Sequence, residues 1–100
     1  MQLSLDEYVL QLKSELKPEP EVNNSDSYNI QFKYNDILYE RRFKADDKIA
    51  DLKIFVKMSI KTFNDIELCE NFPRKIFNDD YKSVKEEGIS KRQILYVKLK

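Results

Sequence analysis

The chain has no histidine, one cysteine and one glycine in its 100 residues. Without histidine, Ser/His and Cys/His nucleophile pairs cannot be assembled within one chain. With Cys69 as the lone thiol, no intramolecular disulfide forms. A zinc site would rest on one sulfur and carboxylates, a poor set for tetrahedral zinc. Cys69 therefore reads as a small packing residue in a reducing compartment. No apolar run approaches the roughly 20 residues that span a bilayer, and the N-terminus lacks the charged-then-apolar order of a signal peptide. Neither a catalytic residue, a metal ligand nor a cofactor site is expected, nor direct membrane contact from this segment.

What is present is enough for one core. Hydrophobic residues make up 41% of the chain and charged ones 36%, with a mean hydropathy of −0.67, values of a soluble single domain. The net charge is zero, which argues against a nucleic-acid partner. That neutrality is a sum of opposites. Residues 1–27 hold two lysines against six carboxylates, a net −4, and the remainder holds sixteen basic against twelve acidic residues, a net +4. An acidic arm thus precedes a mildly basic domain, whose basic patch suits an acidic protein surface.

Leu3, Leu5, Val9, Leu10, Leu12 and Leu16, with Ser4 and Glu7 at capping-box spacing, predict a short amphipathic helix within residues 1–16. Pro18 and Pro20 end it. Residues 17–27 read as a proline-bearing polar linker, and residues 28–100 as the domain. The helix is a candidate for the end of a longer coiled coil, for self-association or for packing on the domain.

Within the domain, Ile30, Phe32 and Tyr34 alternate with Gln31 and Lys33, a strand period. Asn35 and Asp36 supply turn chemistry before a second strand over 37–43. Asp46 or Asp47 is placed to cap a helix whose stripe is Ile49, Leu52, Phe55, Val56 and Ile60. Ile66 and Leu68 begin a third strand, 75–77 form a short fourth, and 94–99 a fifth. Between the last two, 83–88 reads as one helical turn closed by Gly88 in a left-handed conformation. Hairpin, helix, strand, short strand, helical turn and strand suit an α+β domain of the β-grasp, ubiquitin-like kind. Alternation sets Arg41 beside Phe43, its stem along the sheet rim and its head expected in water. The acidic pairs Asp46–Asp47, Asp79–Asp80 and Glu86–Glu87 have no calcium-loop spacing and read as caps or solvated charge.

Particular residues add to this pattern. Ile30-Gln31-Phe32-Lys33, Glu40-Arg41-Arg42-Phe43, Ile49-Ala50-Asp51-Leu52 with Phe55-Val56, Asn71-Phe72-Pro73-Arg74-Lys75, Ser83-Val84-Lys85-Glu86-Glu87-Gly88-Ile89 and Ile94-Leu95-Tyr96-Val97 occur in one order. Together they resemble the ubiquitin regulatory X, or UBX, domain over residues 28–99. The wording is most similar to the Fas-associated-factor branch, to which Leu16-Lys17-Pro18-Glu19-Pro20 adds a similar Pro-rich lead-in. The resemblance implies a noncatalytic adaptor that docks on the N-terminal domain of the AAA ATPase valosin-containing protein. It also implies roles in the ubiquitin–proteasome pathway and endoplasmic-reticulum-associated degradation. The expected location is cytoplasmic or nuclear, or the cytosolic face of the endoplasmic reticulum if the chain belongs to a longer protein.

Carried over residue by residue, the family contact falls on Lys33 of the first strand and on Phe72, Pro73 and Arg74 of the turn after the third. The chemistry of these residues agrees. Lys33 alternates with an apolar pair, so its ammonium faces solvent. An aromatic at a turn tip can enter a hydrophobic cleft, and arginine offers a planar fork to carboxylates or carbonyls. Pro73 leaves either isomer of its preceding peptide open. Lysine at position 33, where the family often carries arginine, cannot make the bidentate contact, and a modest loss of affinity is expected. Asn78, Asp79 and Asp80 bring acid that could screen the basic contact. Two other classes compete: a ubiquitin-like modifier, which should carry a Gly-Gly tail where this chain has Tyr96-Val97-Lys98-Leu99-Lys100, and a β-grasp enzyme fragment or small-GTPase-binding module.

Overall fold

The computed structural model describes residues 3–21, 25–71 and 74–100. Helix α1 covers Leu5–Glu15. Ser4 caps it: its Oγ accepts the Glu7 N–H at 3.2 Å while its hydroxyl donates to Glu7 Oε1 at 3.0 Å. Leu16 turns to extended backbone ahead of Pro18, and the helix stops. An isolated helix of this length is marginal in water, so its order comes from packing. Leu12 is buried, and the Tyr8 ring lies 5.0 Å from that of Phe63.

Strands β1 (Ser27–Tyr34) and β2 (Ile37–Lys44) pair antiparallel, with Tyr34 opposite Ile37. The two residues between them, Asn35 at φ 49° and Asp36 at φ 65°, are both left-handed. This is the type I′ geometry whose twist matches that of the flanking strands, and Asn and Asp are the non-glycine residues that tolerate it best.

Helix α2 covers Ile49–Ile60. Ile49, Leu52 and Val56, at i, i+3 and i+7, are fully buried against the sheet. The expected cap at Asp46 or Asp47 is not what starts it. Lys48 holds the cap position, and the carboxylate of Asp51 reaches back to its N–H at 2.8 Å. Asp47 instead accepts the Lys44 N–H at 2.9 Å, closing the turn after β2. The N–H groups of Ile49 and Ala50 donate to the carbonyls of Lys82 and Asp80, so the 80–84 segment itself covers the start of the helix.

Strands β3 (Ile66–Asn71), β4 (Arg74–Phe77) and β5 (Arg92–Leu99) complete a five-stranded sheet in the order β2-β1-β5-β3-β4. β1 and β5 run parallel at its centre and the other pairs are antiparallel. With α2 across one face, this is the ubiquitin-like β-grasp fold. The core joins Ile30, Phe32 and Phe43 of the hairpin to the α2 stripe and to Leu68, Phe77, Val84 and Leu95. Each such side chain contributes roughly 1.5–3 kcal/mol by leaving water. Phe32 and Phe43 meet edge to face at 6.0 Å.

The expected helical turn at 83–88 is a run of hydrogen-bonded turns. Ser83 Oγ accepts the Glu86 N–H and the Ser83 N–H donates to Glu86 Oε1, each at 3.0 Å. Gly88, at φ 74°, closes the run as expected. The Arg41 expectation is corrected: its head is not in water. The residue is 8% exposed, its guanidinium lies 4.8 Å from the Phe43 ring centre, and it donates to the carbonyls of Arg42 at 3.1 Å and Lys17 at 2.5 Å. Residues 17–20 come back along the β2 edge and cover it, a long-range contact that strand periodicity does not contain.

Candidate protein-docking surface

α2 covers one face of the sheet and leaves the other open. Lys33 lies on the open face, exposed, between buried Phe32 and half-buried Tyr34. Registers carry that face across the sheet. Lys33 is opposite Leu38 of β2 and beside Tyr96 of β5; Tyr96 is opposite Cys69 of β3, and Cys69 opposite Ile76 of β4. Arg74, two residues from Ile76 on the same strand, shares its side and is exposed. The two cationic residues predicted from sequence thus share one face, three inter-strand spacings or about 14 Å apart across it. Phe72 and Pro73, with the peptide bond that joins them, lie outside the described residues; Asn71 and Arg74 on either side are register partners.

The ground between the cations is part apolar. Ile94 is 43% exposed and Ile76 39%, with half-buried Tyr96 two residues from Ile94 on β5. None of these three was expected at the site from sequence. The signal was there, since Ile94 and Tyr96 alternate with buried Leu95, but a strand that is apolar on both faces looks like one buried on both. Two shallow hollows flank this ground. One of 420 Å³ includes Asn71, Ser90, Ile94 and Tyr96 in its lining. The other, of 510 Å³, lies beside Lys33 and is lined also by Tyr34, Tyr96 and Val97.

The acids behave otherwise than the linear sequence suggests. Asp80 meets the Lys53 ammonium at 2.6 Å, so its charge is committed to α2. It follows β4 at the end opposite Arg74, beyond the roughly 10 Å of strand that β4 spans. Glu40 is a carboxylate held on that face: Gln31 donates to it at 2.8 Å and Asn29 at 3.2 Å. These hydrogen bonds, Gln31 first, hold its carboxyl below the ordinary glutamate value, with Arg42 adding to the shift. Lys75 points to the other face, donating to the Glu87 carbonyl at 2.7 Å over the Phe77 ring. Among the described residues no group of His, Cys, Asp and Glu could hold a metal ion, and no helix is long and apolar enough to cross a membrane.

An exposed pair of cations flanking tyrosine and isoleucine, on a rigid sheet, is suited to gripping another protein. The UBX domain family model matches residues 23–99. The chain belongs to the UBX domain family. Membership makes it a ubiquitin-like module of a noncatalytic protein-interaction family. Among solved structures it is similar to another UBX domain, at 20% identity and a TM-score of 0.71, over 85% of this chain and 80% of that one. The ubiquitin-like domain of an Arabidopsis thaliana protein follows at 15% identity and 0.64, over 82% and 88%. The AtNBR1 PB1 domain aligns at 15% identity and 0.58, over 76% and 100%. At these identities the neighbours speak for the fold. No curated protein matches the chain significantly.

Proposed function

We propose that this UBX domain is an adaptor that docks on the N-terminal domain of valosin-containing protein. Lys33 and Arg74 would hold acidic or carbonyl groups of the ATPase, and Phe72 with Pro73 would enter a hydrophobic cleft of its N-terminal domain. The single observation that carries the proposal is the placement of Lys33 and Arg74 on one open face of a UBX fold, on either side of exposed apolar ground. Aromatic and arginine anchors ringed by polar residues are where interface energy concentrates. Recruitment to ubiquitin-dependent protein processing, including degradation at the endoplasmic reticulum, is the role proposed for the complex, in the cytoplasm or nucleus. Assignment to the Fas-associated-factor branch is likewise a proposal, made from the wording of the matched motifs and the Leu16–Pro20 lead-in. A titration of the labelled ATPase N-terminal domain with wild type and with Arg74→Ala, Lys33→Ala and Phe72→Ala variants tests the proposal. Saturable binding lost on Arg74→Ala and Phe72→Ala supports it; no binding by the wild type, or binding indifferent to both changes, overturns it.

A further inference from the structure

The arm of residues 5–20 meets the domain on a flank that the proposed docking face does not use. Three kinds of contact hold it. Leu12 is the one buried side chain of α1, and Tyr8 rests on Phe63 with the Lys57 ammonium 5.1 Å from its ring. Lys17 reaches the carboxylates of Asp51 at 3.2 Å and Asp47 at 4.0 Å. The extended stretch that follows is gripped through its main chain: Arg41 donates to the Lys17 carbonyl at 2.5 Å and Arg42 Nε to the Pro20 carbonyl at 2.9 Å. The Arg42 backbone N–H, on an edge strand with no sheet neighbour, donates to Glu19 Oε2 at 3.0 Å.

This is how folded domains hold peptides: one or two side-chain anchors, reading of carbonyls, and a carboxylate on an otherwise open strand edge. It differs from core packing. Leu12 and Tyr8 stand outside the central hydrophobic cluster, Leu5 and Leu10 on the same helix are exposed, and the family match begins at residue 23, beyond the arm.

We infer that the α2–β2 flank is a second docking surface, specific for an amphipathic helix that runs into an extended, proline-bearing segment, and that residues 5–20 occupy it in cis. Tethering raises the arm's effective concentration, so it excludes competitors until its own anchors are weakened. An outside partner of this kind would present a leucine four residues after an aromatic, a lysine five residues later, and a carboxylate two residues beyond that, as Tyr8, Leu12, Lys17 and Glu19 do here.

The test uses the full chain carrying Leu12→Asp, followed by backbone NMR and amide exchange. The expected result is a folded domain in which the Arg42 amide exchanges about tenfold faster and the Phe63 resonances move. Adding a synthetic peptide of residues 3–20 should then restore both, saturably, while leaving the wild-type chain unchanged. Global unfolding of Leu12→Asp would make the arm part of the fold and overturn the inference. So would unaltered Arg42 exchange, or a vacated flank that ignores the peptide. Lys17→Gln, which removes the ion pairs with Asp51 and Asp47 and leaves the core untouched, supplies a second weakened flank on which the same peptide must act.

Discussion

Lys33 on β1 and Arg74 on β4 face the same side of the sheet with β5 and β3 between them, and neither is buried. Their charges are therefore available to a partner and are not needed by the core. Arg74→Ala is expected to weaken binding to the ATPase N-terminal domain by about 30-fold, the roughly 2 kcal/mol of an interface anchor. Lys33→Ala should cost about fivefold, because a single ammonium gives a less directed contact than guanidinium. Urea unfolding of both variants should stay within about 0.5 kcal/mol of wild type. Calorimetric titration and urea melts decide; a loss of binding matched by a loss of stability would remove the argument.

The hairpin tip offers a gain. Asn35 and Asp36 both sit at positive φ, at 49° and 65°. Glycine at the second position gives Asn-Gly, the pairing type I′ turns favour most, and removes the left-handed strain of a Cβ-bearing residue. Asp36→Gly should stabilise the domain by about 0.5–1 kcal/mol, read as a higher urea midpoint with an unchanged slope. Gly88→Ala should do the reverse by about 1 kcal/mol, since its φ of 74° penalises alanine even though a Cβ there would meet open space.

Where the sequence was legible, the determinants were local. The period of two in Ile30–Phe32–Tyr34, the 3.6 period from Ile49 to Val56, and the Ser4–Glu7 cap each encode their element within a few residues, and all appear in the structure. The basic pair of the site was legible only as two separate motifs. Their sharing of a face follows from registers through β5 and β3, which no local pattern records. Arg41 was misjudged, and the partner of Asp80 was missed, for the same reason: Lys17 and Lys53 lie 24 and 27 residues away.

Acid should destabilise the domain through two glutamates. Glu40 is held below its ordinary value first by the hydrogen bond from Gln31, and Glu86 first by the Ser83 backbone N–H. A carboxyl whose folded pKa is depressed adds stability above its unfolded pKa, and that stability is lost as pH falls through the folded value. Thermal midpoints should therefore fall below roughly pH 4, and Glu40→Gln or Glu86→Gln should flatten that limb. The alkaline limb has another source. Lys17 is raised, chiefly by its hydrogen bond to Asp51. Its contribution is complete below the ordinary lysine value and is lost as pH rises through the folded one, so Lys17→Gln should flatten the profile only above roughly pH 10.

Arg41 is the most demanding position on the flank. Burial pulls its guanidinium down from the ordinary value, while Glu19, Asp47 and Asp51 pull the other way. It stays charged, because even a lowered arginine lies far above neutral pH. Its stem and planar head lie against Phe43, with Phe55 at 5.9 Å, and its two hydrogen bonds join β2 to Lys17. Arg41→Ala removes packing, the cation–π contact and both bonds, and should cost about 2 kcal/mol. Arg41→Met retains most of the packing and should cost about half as much. Arg41→Lys keeps the charge, but its ammonium lacks the planar fork that spans the two carbonyls, so it should be no better than Met. Urea melts of the three variants rank these contributions. If lysine restores wild-type stability, charge alone holds the flank and the planar geometry of Arg41 is incidental.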